Sequence, residues 1–221
     1  MTSGWHPVAL AADVETGTST GAKLNGKEIV IWRDDRARAH VWEDRCPHRG
    51  MRLSLGFVRG DHLACLYHGW QYDQSGQCRF IPAHPELDVP STIRVPAYRT
   101  REWAGIIWTA PDEEGHGEEV PEGMTAHPVR SLHVELPMSD AVAAWIAHGL
   151  GKDATVKQME VNLCLARSGG DQLLAAFQPI SERRTGIHVV IFDQAEAEKL
   201  TRHARALEAF RALVDRSPAH V

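Results

Sequence analysis

Residues 46–70 read CPHRGMRLSLGFVRGDHLACLYHGW, and this stretch constrains the fold more than any other. Cys46 and His48 form one pair, Cys65 and His68 a second, with sixteen residues between the pairs. Two short chelating pairs on separate hairpin-like loops can close round a metal centre at little ordering cost. Thiolate with imidazole suits zinc or an iron–sulfur cluster. A Cys₂His₂ set satisfies tetrahedral zinc, but zinc fingers place two cysteines together and carry both histidines on a helix. Here each pair mixes the two residue types, and the flanking sequence reads as strands and turns. That arrangement serves a [2Fe–2S] centre in which two cysteines hold one iron and two histidines the other.

The motif CPHRG followed by CLYHGW resembles the Rieske domain of ring-hydroxylating and demethylating oxygenase large subunits. WHPVA (5–9), IVIWRDD (29–35), LSLGFVRGDHLAC (53–65), HGWQYDQSGQCRFIPA (68–83) and WAGIIWTAPD (103–112) extend the resemblance across the first half of the chain. The resemblance implies a [2Fe–2S] cluster on Cys46, His48, Cys65 and His68. Neutral imidazoles in place of two thiolates raise such a cluster's potential, into the range of about −150 to +300 mV. Neither ligand loop has a spare cysteine for a clamping disulfide, which points to the lower, oxygenase-like end. Leu66 departs from the family, which usually has proline there. Trp70 reads as a packing residue that shields the site, Arg49 as a docking or solvated arginine. Cys78 and Cys164 have no chelating neighbour and read as buried thiols.

Composition sets outer bounds. A 221-residue chain, 43% hydrophobic and 24% charged, can bury a core as one large or two small domains. Its net charge of −5 argues against a nucleic-acid partner. No run of eighteen apolar residues suggests a membrane span, and the N-terminal stretch does not read as a signal peptide. The expectation is a cytoplasmic protein with reduced cysteines.

Along the chain, short strands are expected at 28–32, 37–42, 62–66, 69–73 and 77–81, punctuated by polar turns, in an antiparallel sandwich or partly open barrel. The acidic, glycine-rich run DEEGHGEEVPEG (112–123) reads as a linker or surface loop. The second half reads β-α-β-β-β-α: strands at 131–137, 156–166, 171–180 and 186–193, a helix from Ser139 as N-cap to Gly149, and a closing amphipathic helix with Leu200, Ala204, Leu207, Phe210 and Val214 on one stripe. The expected class is α+β. A Rieske domain spans 1–112, a linker 113–130, and a small sheet-plus-helix domain 131–221, the last a remnant of an oxygenase catalytic domain.

In the resembled oxygenases a second, mononuclear iron is held by two histidines and a carboxylate. The histidines after residue 112 are singly spaced here, and that half is about half the length the resemblance implies. Asp140 with His148 on the 139–149 helix comes nearest, and His148 and His188 could meet Glu160 or Asp193 only through folding. No mononuclear iron is therefore expected, although QPISERRTGIHVVIFD (178–193) resembles the end of a catalytic domain.

Three functions remain on the sequence. The favoured one is a one-electron carrier or accessory component for an oxygenase, fed by a flavin or ferredoxin-type reductase, for which the resemblance implies a head-to-tail homotrimer. The others are a complete small monooxygenase or demethylase with a cryptic iron site, and a redox-sensing or structural module. The acidic balance suggests a redox partner with a basic patch. No residue specifies a substrate.

Overall fold

The computed structural model describes residues 4–110, 125–151, 154–192 and 196–216. Ten strands precede residue 111: β1 (His6–Leu10), β2 (Ser19–Leu24), β3 (Lys27–Arg33), β4 (Ala39–Glu43), β5 (Phe57–Arg59), β6 (His62–Ala64), β7 (Gln71–Asp73), β8 (Cys78–Phe80), β9 (Ala97–Trp103) and β10 (Ile106–Ala110). Then come β11 (Ala126–Val134), α1 (Met138–His148), β12 (Thr155–Glu160), β13 (Leu163–Ser168), β14 (Asp171–Ser181), β15 (Arg184–Phe192) and α2 (Ala197–Arg216). Three sheets result, ordered β1-β10-β9-β4-β3-β2, β5-β6-β7-β8 and β11-β15-β14-β13-β12, and among the described residues their strands pair antiparallel.

The alternation of side chains along β3 explains how the sheets stack. Val30 and Trp32 face the lobe built on β5–β8, where they pack with Trp42, Leu63, Tyr72 and Cys46. Ile29 and Ile31 face the other way, into a cluster with Val8, Val41 and Ile107. Both faces of β3 are covered, so its apolar run is unbroken. The same logic holds in β14 and β15. Leu173, Ala175, Phe177, Ile187, Val189 and Ile191 pack beneath Trp145 of α1 and Leu207, Phe210 and Val214 of α2. Their alternating neighbours Leu174, Ala176, Val190 and Phe192 meet Leu10, Ile106 and Trp108 of the six-stranded sheet. The layers therefore run from the small lobe through two sheets to a pair of helices. Backbone bonds from Asn25 N to Pro179 O (2.6 Å) and Gly26 N to Ile180 O (2.8 Å) tie the two large sheets together.

Several expected elements are revised. Strand β11 begins at Ala126, inside the stretch read as linker, while the acidic run itself lies outside the described residues. The single strand expected over 156–166 is a hairpin, β12–β13, with Val161 and Asn162 at its turn. Pro137, not Ser139, is the N-cap of α1, and the Ser139 hydroxyl instead donates to the Asp140 carboxylate at 3.0 Å. On α2 the buried stripe contains His203 rather than Ala204.

Candidate metal centre

The β5–β8 lobe holds two loops built to one plan. In the first, Cys46 N–H donates to Met51 O and Gly50 N–H to Cys46 O, both at 2.8 Å. In the second, Cys65 N–H donates to Trp70 O at 2.9 Å and Gly69 N–H to Cys65 O at 3.0 Å. Each loop is thus a six-residue turn closed at the cysteine, with glycine fifth at positive φ, +73° at Gly50 and +70° at Gly69. The histidine is third in one turn and fourth in the other. The hairpin of β5 and β6 forms the second half of the sixteen intervening residues and leads directly into the second loop.

The donors segregate. Cys46 and Cys65 are buried, 2% and 3% exposed. His48 and His68 lie at the surface, with ring centroids 4.6 Å apart in an edge-to-face arrangement. Trp70, from the second loop, stacks on His48 of the first at 4.3 Å with planes only 7° apart. Tyr67 lies 3.9 Å from His68. Beneath the cysteines the Tyr72 hydroxyl is 3.1 Å from Cys46 Sγ. Burial, with the Cys46 sulfur beside it, pushes the Tyr72 phenol far up, so it keeps the proton it could donate to a sulfur that has lost its own. Burial likewise pushes the Cys65 thiol up. Desolvation, with His68 and Arg49 alongside, shifts the His48 imidazole below its ordinary value, a direction that favours the neutral form a metal requires.

Two thiols below and two imidazoles above form a donor set for two metal ions bridged in one cluster, sulfur ligands on one and nitrogen ligands on the other.

Residues 4–98 match the Rieske [2Fe-2S] domain family. That match takes in less than half of the 221-residue chain. Oxidoreductase NdmD of Pseudomonas putida is 45% identical over 106 residues, 48% of this chain and 18% of that protein. The phthalate 4,5-dioxygenase oxygenase subunit of Pseudomonas putida is 32% identical over 145 residues, 64% of this chain and 32% of that protein. The chain therefore spans between about a fifth and a third of the length of these curated relatives. In three dimensions it superposes on the NdmA structure of Pseudomonas putida CBB5 with a TM-score of 0.77 at 18% identity, covering 99% of this chain and 82% of that one. The fold shared with that structure thus extends beyond residues 4–98 into β11–β15 and the two helices.

The residues weighed for a second iron are not brought together. His148 is exposed at the end of α1, on the helix-covered side of the five-stranded sheet. His188 faces the opposite side, 3% exposed, with Nε2 2.8 Å from Gln178 Oε1 and Nδ1 2.9 Å from Ser131 Oγ. Both its nitrogens are engaged, and burial pushes its pKa down to about 3. Asp140 and Glu160 are exposed, and Asp193 lies outside the described residues. Cys78 and Cys164 are buried thiols, as expected. Sequence reasoning missed Tyr72 altogether. Along β7 it alternates with the half-buried Gln71 and Asp73, which places it inward beside the cysteines. Among the described residues no helix is long and apolar enough to cross a membrane.

Proposed function

We propose that this chain is a one-electron carrier, with Cys46 and Cys65 holding the inner iron of a [2Fe–2S] cluster and His48 and His68 the outer. The observation that carries this reading is the segregation of donors, thiols buried and imidazole rings paired at the surface. A bound cluster of this type supplies one reversible electron. The chain's residues do the rest. Tyr72 donates a hydrogen bond to the Cys46 sulfur, which favours the reduced state by offsetting charge there. Trp70 fixes the plane of His48, and the two rings form the edge by which an electron enters and leaves. A flavin or ferredoxin-type reductase is the donor and an oxygenase component the acceptor. Copies associate head to tail, and a clean monomer in solution would overturn that part.

A second reading is a small monooxygenase or demethylase with its own oxygen-activating iron. The superposition on NdmA over 99% of the chain favours it. The separation of His148 from His188 by a sheet weighs against it. Iron and acid-labile sulfide per chain, on anaerobically purified protein, decide between the two. Two irons with two sulfides support the carrier; three irons with two sulfides replace it with the oxygenase.

A further inference from the structure

Where the five-stranded sheet turns its helix-free face to the six-stranded sheet, the two enclose a cleft of about 440 Å³. Val14, Ala22 and Ile180 give it apolar surface, and Ser131 and the buried Gln178 and His188 line its inner end. The protons at that end can be assigned one by one. Lys23 O only accepts, so Gln178 Nε2 donates to it at 2.7 Å and Gln178 Oε1 is left facing His188. Burial keeps His188 neutral, so its Nε2–H donates to that oxygen at 2.8 Å and Nδ1 is bare. The Ser131 hydroxyl, 2.9 Å from Nδ1, supplies the missing proton. Asp13 Oδ2 also lies near Ser131 Oγ, at 3.4 Å, but serine has a single proton. A buried nitrogen left without a donor costs more than an exposed carboxylate left to water, so His188 takes it.

Ser131 Oγ and Asp13 Oδ2 therefore stand 3.4 Å apart at the cleft with lone pairs and no hydrogen to offer it. The other charges that line it are taken. Glu28 pairs with Arg52 and Lys23, Arg184 pairs with Glu135, and Asp44 is held by the Ser54 N–H and hydroxyl at 2.7 and 2.6 Å. Burial, then Arg184 and Arg211, lowers the pKa of His133, which favours its uncharged ring. Asp13 makes no ion pair among the described residues and is the negative charge left over. We propose that this cleft binds a small primary or secondary organic ammonium ion, its N–H groups bridging Ser131 Oγ and the Asp13 carboxylate and its apolar body lying against Val14, Ala22 and Ile180. Acceptors without donors select a donor, the unpaired carboxylate selects a cation, and the apolar surface selects one that carries carbon. The site shares no residue with the Cys46–His68 loops and does not depend on the carrier reading.

The test is calorimetric titration of the full chain with benzylammonium chloride near neutral pH. Saturable binding with a Kd of about 1 mM or below is expected. Benzyl alcohol, the uncharged counterpart, and methylammonium, which lacks the apolar body, should each bind at least about tenfold more weakly. Asp13→Asn should weaken benzylammonium about tenfold or more, and Ser131→Ala about three- to tenfold. Ser131→Thr, which keeps the hydroxyl, should restore binding to within about threefold of the native chain, and Glu198→Gln on the exposed start of α2 should leave it within about twofold. Melting temperatures taken on the same samples show that each variant is folded. The proposal is overturned if the native chain does not bind benzylammonium at about 10 mM, if benzyl alcohol binds equally well, or if folded Asp13→Asn binds as the native chain does. Iron and sulfide content judge the carrier reading separately, and neither result alters the other.

Discussion

The indole of Trp70 lies parallel to the imidazole of His48, 4.3 Å away, although the two belong to different ligand loops. The contact joins the loops at their outer edge, where no disulfide does so. Trp70→Leu should leave the sheets folded but loosen that edge. Loss of visible absorbance in air should quicken several-fold, while the melting temperature of the iron-loaded protein drops by only a few degrees.

Tyr72→Phe removes the hydrogen bond to the Cys46 sulfur and little else. A bond to a charged sulfur that strengthens by about 1 kcal/mol on reduction corresponds to about 40 mV for one electron. The midpoint potential should therefore fall by roughly 40 mV, read by redox titration, with iron content unchanged. A potential that stays put would mean the phenol does not tune the site.

His188 predicts a specific acid sensitivity. Its folded pKa of about 3 lies below the ordinary 6.5 because of burial, then the nearby His133. The unfolded chain thus binds the proton more readily, so stability is fully present above about pH 6.5 and is lost progressively as pH falls towards 3. His188→Asn should flatten the slope of melting temperature against pH between about 6.5 and 4. At pH 7.5 the same variant should cost about 1–2 kcal/mol, because Gln178 or Ser131 loses a partner.

The two loop glycines should differ in their tolerance of a methyl group. At Gly69 a Cβ would meet Pro82 Cγ at 3.0 Å, on top of the strain of φ +70°. At Gly50 it would meet only the flexible Arg45 side chain, at 3.4 Å. Gly50→Ala should cost about 1 kcal/mol and retain most iron, whereas Gly69→Ala should cost more and lower the iron content clearly. Iron analysis beside urea unfolding separates the two.

The ligand motif was legible because four donors at fixed spacing with glycines behind them leave few folds open. The lobe around it was legible for the same reason. Element bounds were harder where both faces of a strand are covered: β3, β14 and β15 lose the period-two signal and read only as apolar runs. Strand β2 escaped notice although Asn25-Gly26, both at positive φ, is the dipeptide that closes a tight hairpin. The turn at Val161 and Asn162 carries no glycine or proline, so β12 and β13 merged into one strand on paper. Pairings across the fold, such as Tyr72 with Cys46 or Trp70 with His48, have no sequence signal at all, since spacing says nothing of which ring lies over which.

Both ligand loops are closed by their own backbone amides, so each turn carries its own hydrogen-bonded frame. The consequence is a matter of access. Thiols lie at the floor and imidazoles at the rim, so a chelator, an oxidant or an iron–sulfur scaffold must pass between the two rings to reach sulfur. Loading, damage and repair of the centre share one doorway, and His48 and His68 are its posts.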